Sequence, residues 1–349
     1  MPKLTLEDIA ELSGVSRSTV SRVINNHPNV REPVRQRIQE IIQTTGYHPN
    51  LAARSLASQT TSIIGLVIPR SVHTFFTDPY FPRLTQGVAQ ACNQYNYTLS
   101  LFLFHTEEDE RKLFPRLSHR GFVDGVIIQS SHAADELFVQ LSESDVPYIV
   151  VGRPMMDSEA SYIDVDNSVG AHNAVRHLVH LGRRRIGTIA GPFITTPGLD
   201  RFDGYKKALE ESNLEYDDRL VVEGDFTESS GYYCAKRLLA HQPDALFIAS
   251  DMMAIGAQRA IRETGLSIPG DVAIVSFDDL PPATQANPTL TTVRQPIYRM
   301  GIKLVETLLD IIENGPHPPR RVIFGTELVI RESCGAGQTG TNLFGDDRN

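Results

Sequence analysis

The spacing of apolar residues changes character near residue 60. From Leu4 to Gly46 they recur three and four apart: Leu6, Ile9, Ala10 and Leu12, then Val20, Val23 and Ile24, then Val34, Ile38, Ile41 and Ile42. This period predicts three short helices, each with one inward stripe. Thr5, with Asp8 three residues on, is a capping signal, Ser13-Gly14-Val15 a tight turn, and Ser16 a cap for the second helix. Pro33 and Gly46 suit the two ends of the third. Helix, glycine-containing turn and helix form a helix-turn-helix unit. From Thr61 onward, strand-length apolar runs such as Ile63–Ile68, Thr98–Phe104, Gly125–Ile128 and Tyr148–Val151 alternate with helical stretches. Near Asp164 the cycle restarts, through Ile186–Ala190, Leu220–Val222, Ala245–Ala249 and Val272–Phe277. Residues 290–332 add a strand, a long helix (Pro296–Glu313) and one last strand (Val322–Ile330). Such alternation predicts parallel sheets with helices on both faces.

The second helix has an unusual polar side. Arg17, Ser18, Ser21 and Arg22 share a face opposite Val20, Val23 and Ile24. Arg reads guanine in a major groove bidentately, and Ser bonds bases or phosphates. Charge is distributed to match. The 349-residue chain carries a net −9, but residues 1–60 hold seven Lys/Arg against five Asp/Glu. A mildly basic leading segment on an acidic body fits a protein in which only that segment meets phosphates.

The motifs Leu6-Glu7-Asp8-Ile9-Ala10, Gly14-Val15-Ser16, Thr19-Val20-Ser21-Arg22-Val23-Ile24-Asn25, Gly46-Tyr47 and Pro49-Asn50 together resemble the headpiece of the lactose-repressor/galactose-repressor family of bacterial transcription regulators. The resemblance implies DNA contacts from Ser16, Arg17, Ser18, Thr19, Ser21, Arg22, Asn25 and Tyr47. It also implies a hinge helix in Asn50–Ser58 that lies in the minor groove, with Ala53 in the groove and Leu56 as the apolar wedge that kinks the central base step. The remainder resembles that family's two-lobed, periplasmic-binding-protein-like core. Four segments follow: an all-α headpiece (1–48), a hinge (49–60), an α/β core with two doubly wound parallel sheets for effector binding and dimerisation (61–334), and a tail (335–349) expected to be disordered. The tail has no apolar heptads, so the tetramer-forming coil of some family members is absent. A homodimer on palindromic operator DNA is expected.

In open α/β sheets, ligands sit outside the carboxyl ends of strands, so the residues that follow each strand are the candidates. Tyr80 and Phe81 offer a stacking wall or simply helix-start packing. The resemblance points to Arg201, Asp251 and Asp278 as effector contacts; Thr195 and Gln295 are candidates from their place after strands, with Arg153 a further one. Asp251 would otherwise be a helix cap. Carboxylates and a guanidinium fork beside aromatic faces suit sugar hydroxyls and pyranose rings. A carbohydrate effector is therefore expected, with a purine nucleobase as the family's other choice. Arg70–Pro79 inserts residues before Tyr80 relative to the family pattern.

Other chemistries find little support. His172, His177 and His180 share a helix, but a metal site would want matched carboxylates or thiols facing them, and a solvated or dimer-facing side is expected for them. Asp164-Val165-Asp166-Asn167 resembles the family's Val-Asp-Asn turn, which caps the next helix, rather than a metal loop. Cys92, Cys234 and Cys334 are too far apart to form a framework. No phosphate loop or nucleophile elbow is present. No cofactor, metal, enzymatic activity or membrane association is expected. With no leader-like segment after Met1-Pro2-Lys3, the protein should be cytoplasmic. The competing reading is a small-molecule-binding or enzyme module behind an unrelated helical domain.

Overall fold

The computed structural model describes residues 4–24, 27–47, 60–104, 106–117, 121–129, 136–155 and 159–338. The hinge prediction, with Ala53 and Leu56, and Asn25 lie outside these residues, as does the tail after 338. The chain divides into two compact units, residues 1–61 and 62–349.

The first unit holds α1 (Leu6–Ser13), α2 (Arg17–Ile24) and α3 (Glu32–Thr45). Thr5 and Asp8 close a reciprocal cap: the Thr5 amide donates to Asp8 Oδ2 at 2.7 Å, and the Asp8 amide to Thr5 Oγ1 at 3.3 Å. This satisfies two amides that a helix start leaves orphaned. Gly14 ends α1 at φ +64, a left-handed conformation that glycine adopts without steric cost. The Thr19 amide donates to Ser16 Oγ at 3.3 Å. Ile9, Ala10, Val20, Val23, Ile38 and Tyr47 form the core.

Two expectations change. Leu12 is 57% exposed, and Ser13 is buried in its place, bonded to Ile9 O. Seven residues make two helical turns, so Ser13 rather than Leu12 stands over Leu6. Tyr47, expected at the DNA, packs its ring into the core and is 7% exposed.

The second unit contains two six-stranded sheets. In the first lobe β1 (Ile63–Ser71), β2 (Thr98–Phe104), β3 (Gly125–Gln129), β4 (Tyr148–Val151) and β5 (Tyr162–Val165) run in the order β5-β4-β3-β1-β2. In the second lobe β6 (Ile186–Ala190), β7 (Val221–Glu223), β8 (Ala245–Ile248), β9 (Ala273–Asp278) and β10 (Thr291–Arg294) run β10-β9-β8-β6-β7. β11 (Arg321–Phe324) joins the first sheet beside β5, parallel, and β12 (Glu327–Val329) the second beside β10, antiparallel. The single strand expected over Val322–Ile330 is thus two strands in different sheets, broken at Gly325-Thr326.

The helices of the core are α4 (Val72–Thr77), α5 (Tyr80–Gln94), α6 (Glu107–Leu117), α7 (Glu136–Ser142), α8 (Asn167–His180), α9 (Thr196–Glu211), α10 (Glu228–Leu239), α11 (Asp251–Glu263), α12 (Pro281–Gln285) and α13 (Ile297–Asn314). Residues 70–79, the segment expected to be an insertion, form the end of β1, α4 and the two residues before α5. α13 returns to the first lobe and packs on α5, where Gly87 and Gly301 meet. A Cβ on Gly87 would stand 2.1 Å from Tyr298 O, so only glycine permits this approach. The chain crosses between lobes three times, each through one or two residues: Asp166, Gln295-Pro296 and Gly325-Thr326. The expected return of the C-terminal portion between the lobes takes this form. A 3-10 turn at Ala336–Gln338 occupies the start of the segment expected to be disordered.

Candidate functional site

In the first unit, α2 presents Arg17, Ser18 and Arg22 to solvent, with Thr19 and Ser21 half-buried beside them and Ser16 exposed at its start. Val20 and Val23 hold the helix from beneath. Arg17 makes an ion pair with Glu7 at 3.0 Å, but its side chain is 70% exposed, so water screens the pair and it costs little to break.

The second unit has a cleft between its lobes with about 690 Å3 of space including its open mouth. The first lobe contributes Asp78, Tyr80, Phe81, Gln129, Gly152, Asp164 and Met300. The second contributes Asn167, Pro197, Arg201, Phe226, Ser250 and Asp278, and the connector between lobes adds Gln295. The strand-end rule holds: β3, β4, β5, β8 and β9 all deliver lining residues at or just past their carboxyl ends.

Arg201 organises the second lobe's side. It is 5% exposed. Its Nε donates to Asn167 Oδ1 at 2.9 Å, and its Nη1 to Ala249 O at 2.5 Å and to Asp278 Oδ1 at 3.4 Å. The guanidinium lies 3.8 Å from the Phe277 ring centroid. Gln295 Nε2 donates to the same Asp278 oxygen at 2.6 Å. Asp278 takes φ +122, a conformation disfavoured for a residue with a side chain, and Asp279 follows at φ +57. Burial holds the Asp278 carboxyl well above the usual carboxylate range, against the lowering pull of Arg201; Asp251 and Asp78 add to the rise. Asp164 is also raised by burial, although the Val165 and Arg153 amides donate to it at 2.7 and 2.9 Å.

On the first lobe, Tyr80 and Phe81 meet edge to face, 5.5 Å between centroids. The Tyr80 amide donates to Asp78 Oδ1 at 3.0 Å, so Asp78 anchors the entry to α5. Burial, with the charges of Asp164 and Asp278, pushes the Tyr80 hydroxyl up and keeps it a donor. Gln129 Oε1 is buried and has no hydrogen-bond partner among the described residues. A buried acceptor left in this state carries a desolvation cost that a donor on a bound ligand removes.

Five of the eight sequence candidates meet in this cleft: Tyr80, Phe81, Arg201, Asp278 and Gln295. Three are placed elsewhere. Thr195 is fully buried and caps α9, its Oγ1 accepting from the Gly198 amide at 3.2 Å. Asp251 is fully buried behind β9, accepting from Ser276 Oγ, Thr292 Oγ1 and the Leu280 amide at 2.6, 2.7 and 2.8 Å. Burial raises its pKa too. Ser250, not Asp251, caps α11 through the Met253 amide. Arg153 turns to Asp200 of α9 at 2.6 Å, an ion pair from one lobe to the other. Asp164, Asn167, Gln129, Phe226, Ser250 and Met300 were not among the sequence candidates. Asp166 does cap α8, through the Val169 amide at 3.0 Å.

His177, expected on a solvated or dimer-facing side, is 8% exposed, and its Nε2 lies 3.3 Å from Cys334 Sγ. Among the described residues, no helix is long and apolar enough to cross a membrane.

The family model described as bacterial regulatory proteins, lacI family, matches residues 5–50, and that of a periplasmic binding protein-like domain matches residues 175–334. The chain is 38% identical to the HTH-type transcriptional regulator CelR of Thermobifida fusca over 333 residues, covering 94% of this chain and 98% of that one. It is 34% identical to the HTH-type transcriptional regulator GalR of Escherichia coli (strain K12) over 333 residues, covering 94% and 95%. A solved CelR–cellobiose complex matches with a TM-score of 0.76 at 37% identity, covering 95% of this chain and 99% of that one. A Lac repressor dimer bound to operator and the anti-inducer ONPF matches with a TM-score of 0.83 at 26% identity, with the same coverage.

Proposed function

Because the chain belongs to the LacI family of bacterial regulatory proteins, we propose that it is a transcriptional repressor whose operator affinity responds to a sugar held between the lobes. The observation that carries the effector reading is the composition of the cleft. Arg201, Asn167, Asp278, Gln295 and Gln129 offer fixed hydrogen-bonding groups, and Tyr80, Phe81 and Phe226 offer ring faces. Hydroxyl pairs suit the first set and the C–H face of a pyranose the second. CelR, solved with cellobiose, supports a β-linked disaccharide as the first candidate.

On DNA, the proposed unit is a homodimer with one α2 in each half-site of a pseudopalindrome. Arg17, Ser18 and Arg22 read bases, Ser16, Thr19, Ser21 and Asn25 support them, and Tyr47 braces the helix from the core. Ala53 and Leu56 act in the minor groove between half-sites. Effector and operator affinities are then linked reciprocally by a few kcal/mol.

The test is operator selection from random duplexes with purified protein, followed by titration of the selected site in the presence of cellobiose, galactose or hypoxanthine. A palindrome whose affinity changes with a sugar supports the reading. Arg17→Ala and Arg22→Ala should each weaken it by about 1–3 kcal/mol. A response to hypoxanthine alone would replace the sugar with the purine corepressor that the family resemblance also implies.

A further inference from the structure

Among the described residues of the second unit, the most exposed large apolar side chains are Phe76 at 70%, Tyr233 at 64% and Ile194 at 61%. A single exposed apolar residue is ordinary. Phe76 and Ile194 differ in sharing a topological position. β1 and β6 stand fifth in the order of their sheets, next to the edge strands β2 and β7. Phe76 lies in α4, directly after the carboxyl end of β1, and Ile194 in the loop after β6. The passages between lobes connect β5 to α8, β10 to α13 and β11 to β12, at the opposite end of each order. Phe76 and Ile194 therefore belong to the side of the cleft away from those passages. Each also adjoins the cleft along the chain: Phe76 precedes the lining residue Asp78 by two positions, and Ile194 precedes Pro197 by three.

The backbone beneath both side chains is tied down. Phe75, 5% exposed, anchors α4 in the core, its ring 6.3 Å from that of Phe81, and meets Phe76 edge to face at 5.0 Å. Ile194 stands between two bonds: the Phe193 amide donates to Glu223 Oε1 at 2.8 Å, and Thr195 Oγ1 to Pro192 O at 2.7 Å. Apolar surface held in water on a fixed backbone is unfavourable, and a ligand face that covers it recovers that free energy without having to order the chain. We propose that Phe76 and Ile194 form an outer subsite for a second sugar ring, so that the effector is an oligosaccharide of at least two rings. The proposal rests on the sugar reading above. The inner ring takes the hydrogen-bonding groups around Arg201 and the Tyr80 wall. The outer ring sits at the open mouth and lays its C–H face on Phe76, with Ile194 meeting it from the second lobe. Its hydroxyls stay in water, so this subsite needs no polar side chain.

The test is calorimetric titration of the full-length protein with each disaccharide and its non-reducing monosaccharide: cellobiose with glucose, and lactose with galactose. In the pair that binds, the disaccharide should exceed the monosaccharide by about thirtyfold. Phe76→Ala should lower the disaccharide affinity about tenfold and Ile194→Ala about threefold, with the monosaccharide changed by less than about twofold in both. Phe76→Trp keeps a ring face and should hold the disaccharide within about threefold of wild type. Both side chains are mostly exposed, so melting temperatures should stay as in wild type. The ratio of disaccharide to monosaccharide affinity is the readout that a merely structural role would leave unmoved. A disaccharide no tighter than its monosaccharide overturns the outer subsite and leaves the sugar reading intact. Equal losses for both sugars, or no loss in either alanine variant, overturn the assignment to Phe76 and Ile194. If no sugar of either pair binds wild type, the sugar reading falls and this proposal with it.

Discussion

In the first lobe the strands run β11-β5-β4-β3-β1-β2 and in the second β12-β10-β9-β8-β6-β7, the same order with each of the first five strands advanced by five. What the lobes bring to the cleft differs. The second lobe supplies a buried, interlocked polar set, Arg201 with Asn167, Asp278 and Ala249 O. The first supplies two rings, a buried amide oxygen and two carboxylates, Asp164 and, directly after α4, Asp78. Topology therefore fixes where contacts arise, at strand ends, and leaves their chemistry to loops and first helical turns. The rigid side is suited to holding a ligand in register, and the ringed side to choosing which ligand it is.

The largest test of this division is Arg201→Ala. It leaves the Asn167 and Ala249 oxygens buried without their donor and should cost about 1–3 kcal/mol of core stability for each, with loss of effector binding. Thermal melts and calorimetry read both. A stable variant that still binds sugar would show that the second lobe is not the anchor. Tyr80→Ala should act on affinity alone, lowering it about tenfold, with the melting temperature of the core nearly kept. A large stability loss instead would make Tyr80 packing rather than wall.

The Asp278 carboxyl sharpens the comparison through pH. Its folded pKa is raised, so between the unfolded value, about 3.9, and that raised value the folded state binds more protons than the unfolded one. Stability from this group is thus present at low pH and lost as pH rises. Arg201, Asp251, Asp78 and Gln295 are the groups that face it. The stability of wild type relative to Asp278→Asn should fall between pH 5 and pH 8, measured by denaturant unfolding; a rise over that range would reverse the assigned cause. The smallest effect is expected from Arg153→Ala. The Arg153 side chain is 44% exposed, so screening limits its pair with Asp200 to under about 1 kcal/mol. Because that pair joins the lobes, the change should appear as about a twofold weaker effector affinity.

The helical headpiece was the most legible part of the chain because its signals are local: Thr5 with Asp8, Gly14, Pro33 and Gly46 each act within one turn. The strands were legible as apolar runs, and the position of the cleft followed from them. Side-chain direction was not legible. Asp251 follows a strand just as Asp278 does, but three donors on β9, β10 and the segment before α12 draw it inward, and no local pattern announces donors 25 to 41 residues away. Thr195 was lost to its own helix start in the same way. Asp164 and Asn167 were missed for a different reason. The four-residue strand that holds Asp164 and ends just before Asn167 was not read as one, so its end was taken for a cap alone. Gly325-Thr326 did carry the signal that splits the last strand, but an apolar run on both sides hid it.

Two of the three passages between lobes carry or adjoin residues of the cleft. Gln295 lies within one, and Asn167 immediately follows another. Three parallel tethers of one or two residues leave the lobes very few independent ways to move, so the core has the mechanics of a clamp turning about one axis. A ligand that bonds Gln295 and Asn167 exerts its force near that axis, where a change of a fraction of an ångström is multiplied along the length of each lobe. Such a lever needs no chain of relays. Its gain is set by the distance from pivot to tip, and its direction by which of the tethers is twisted.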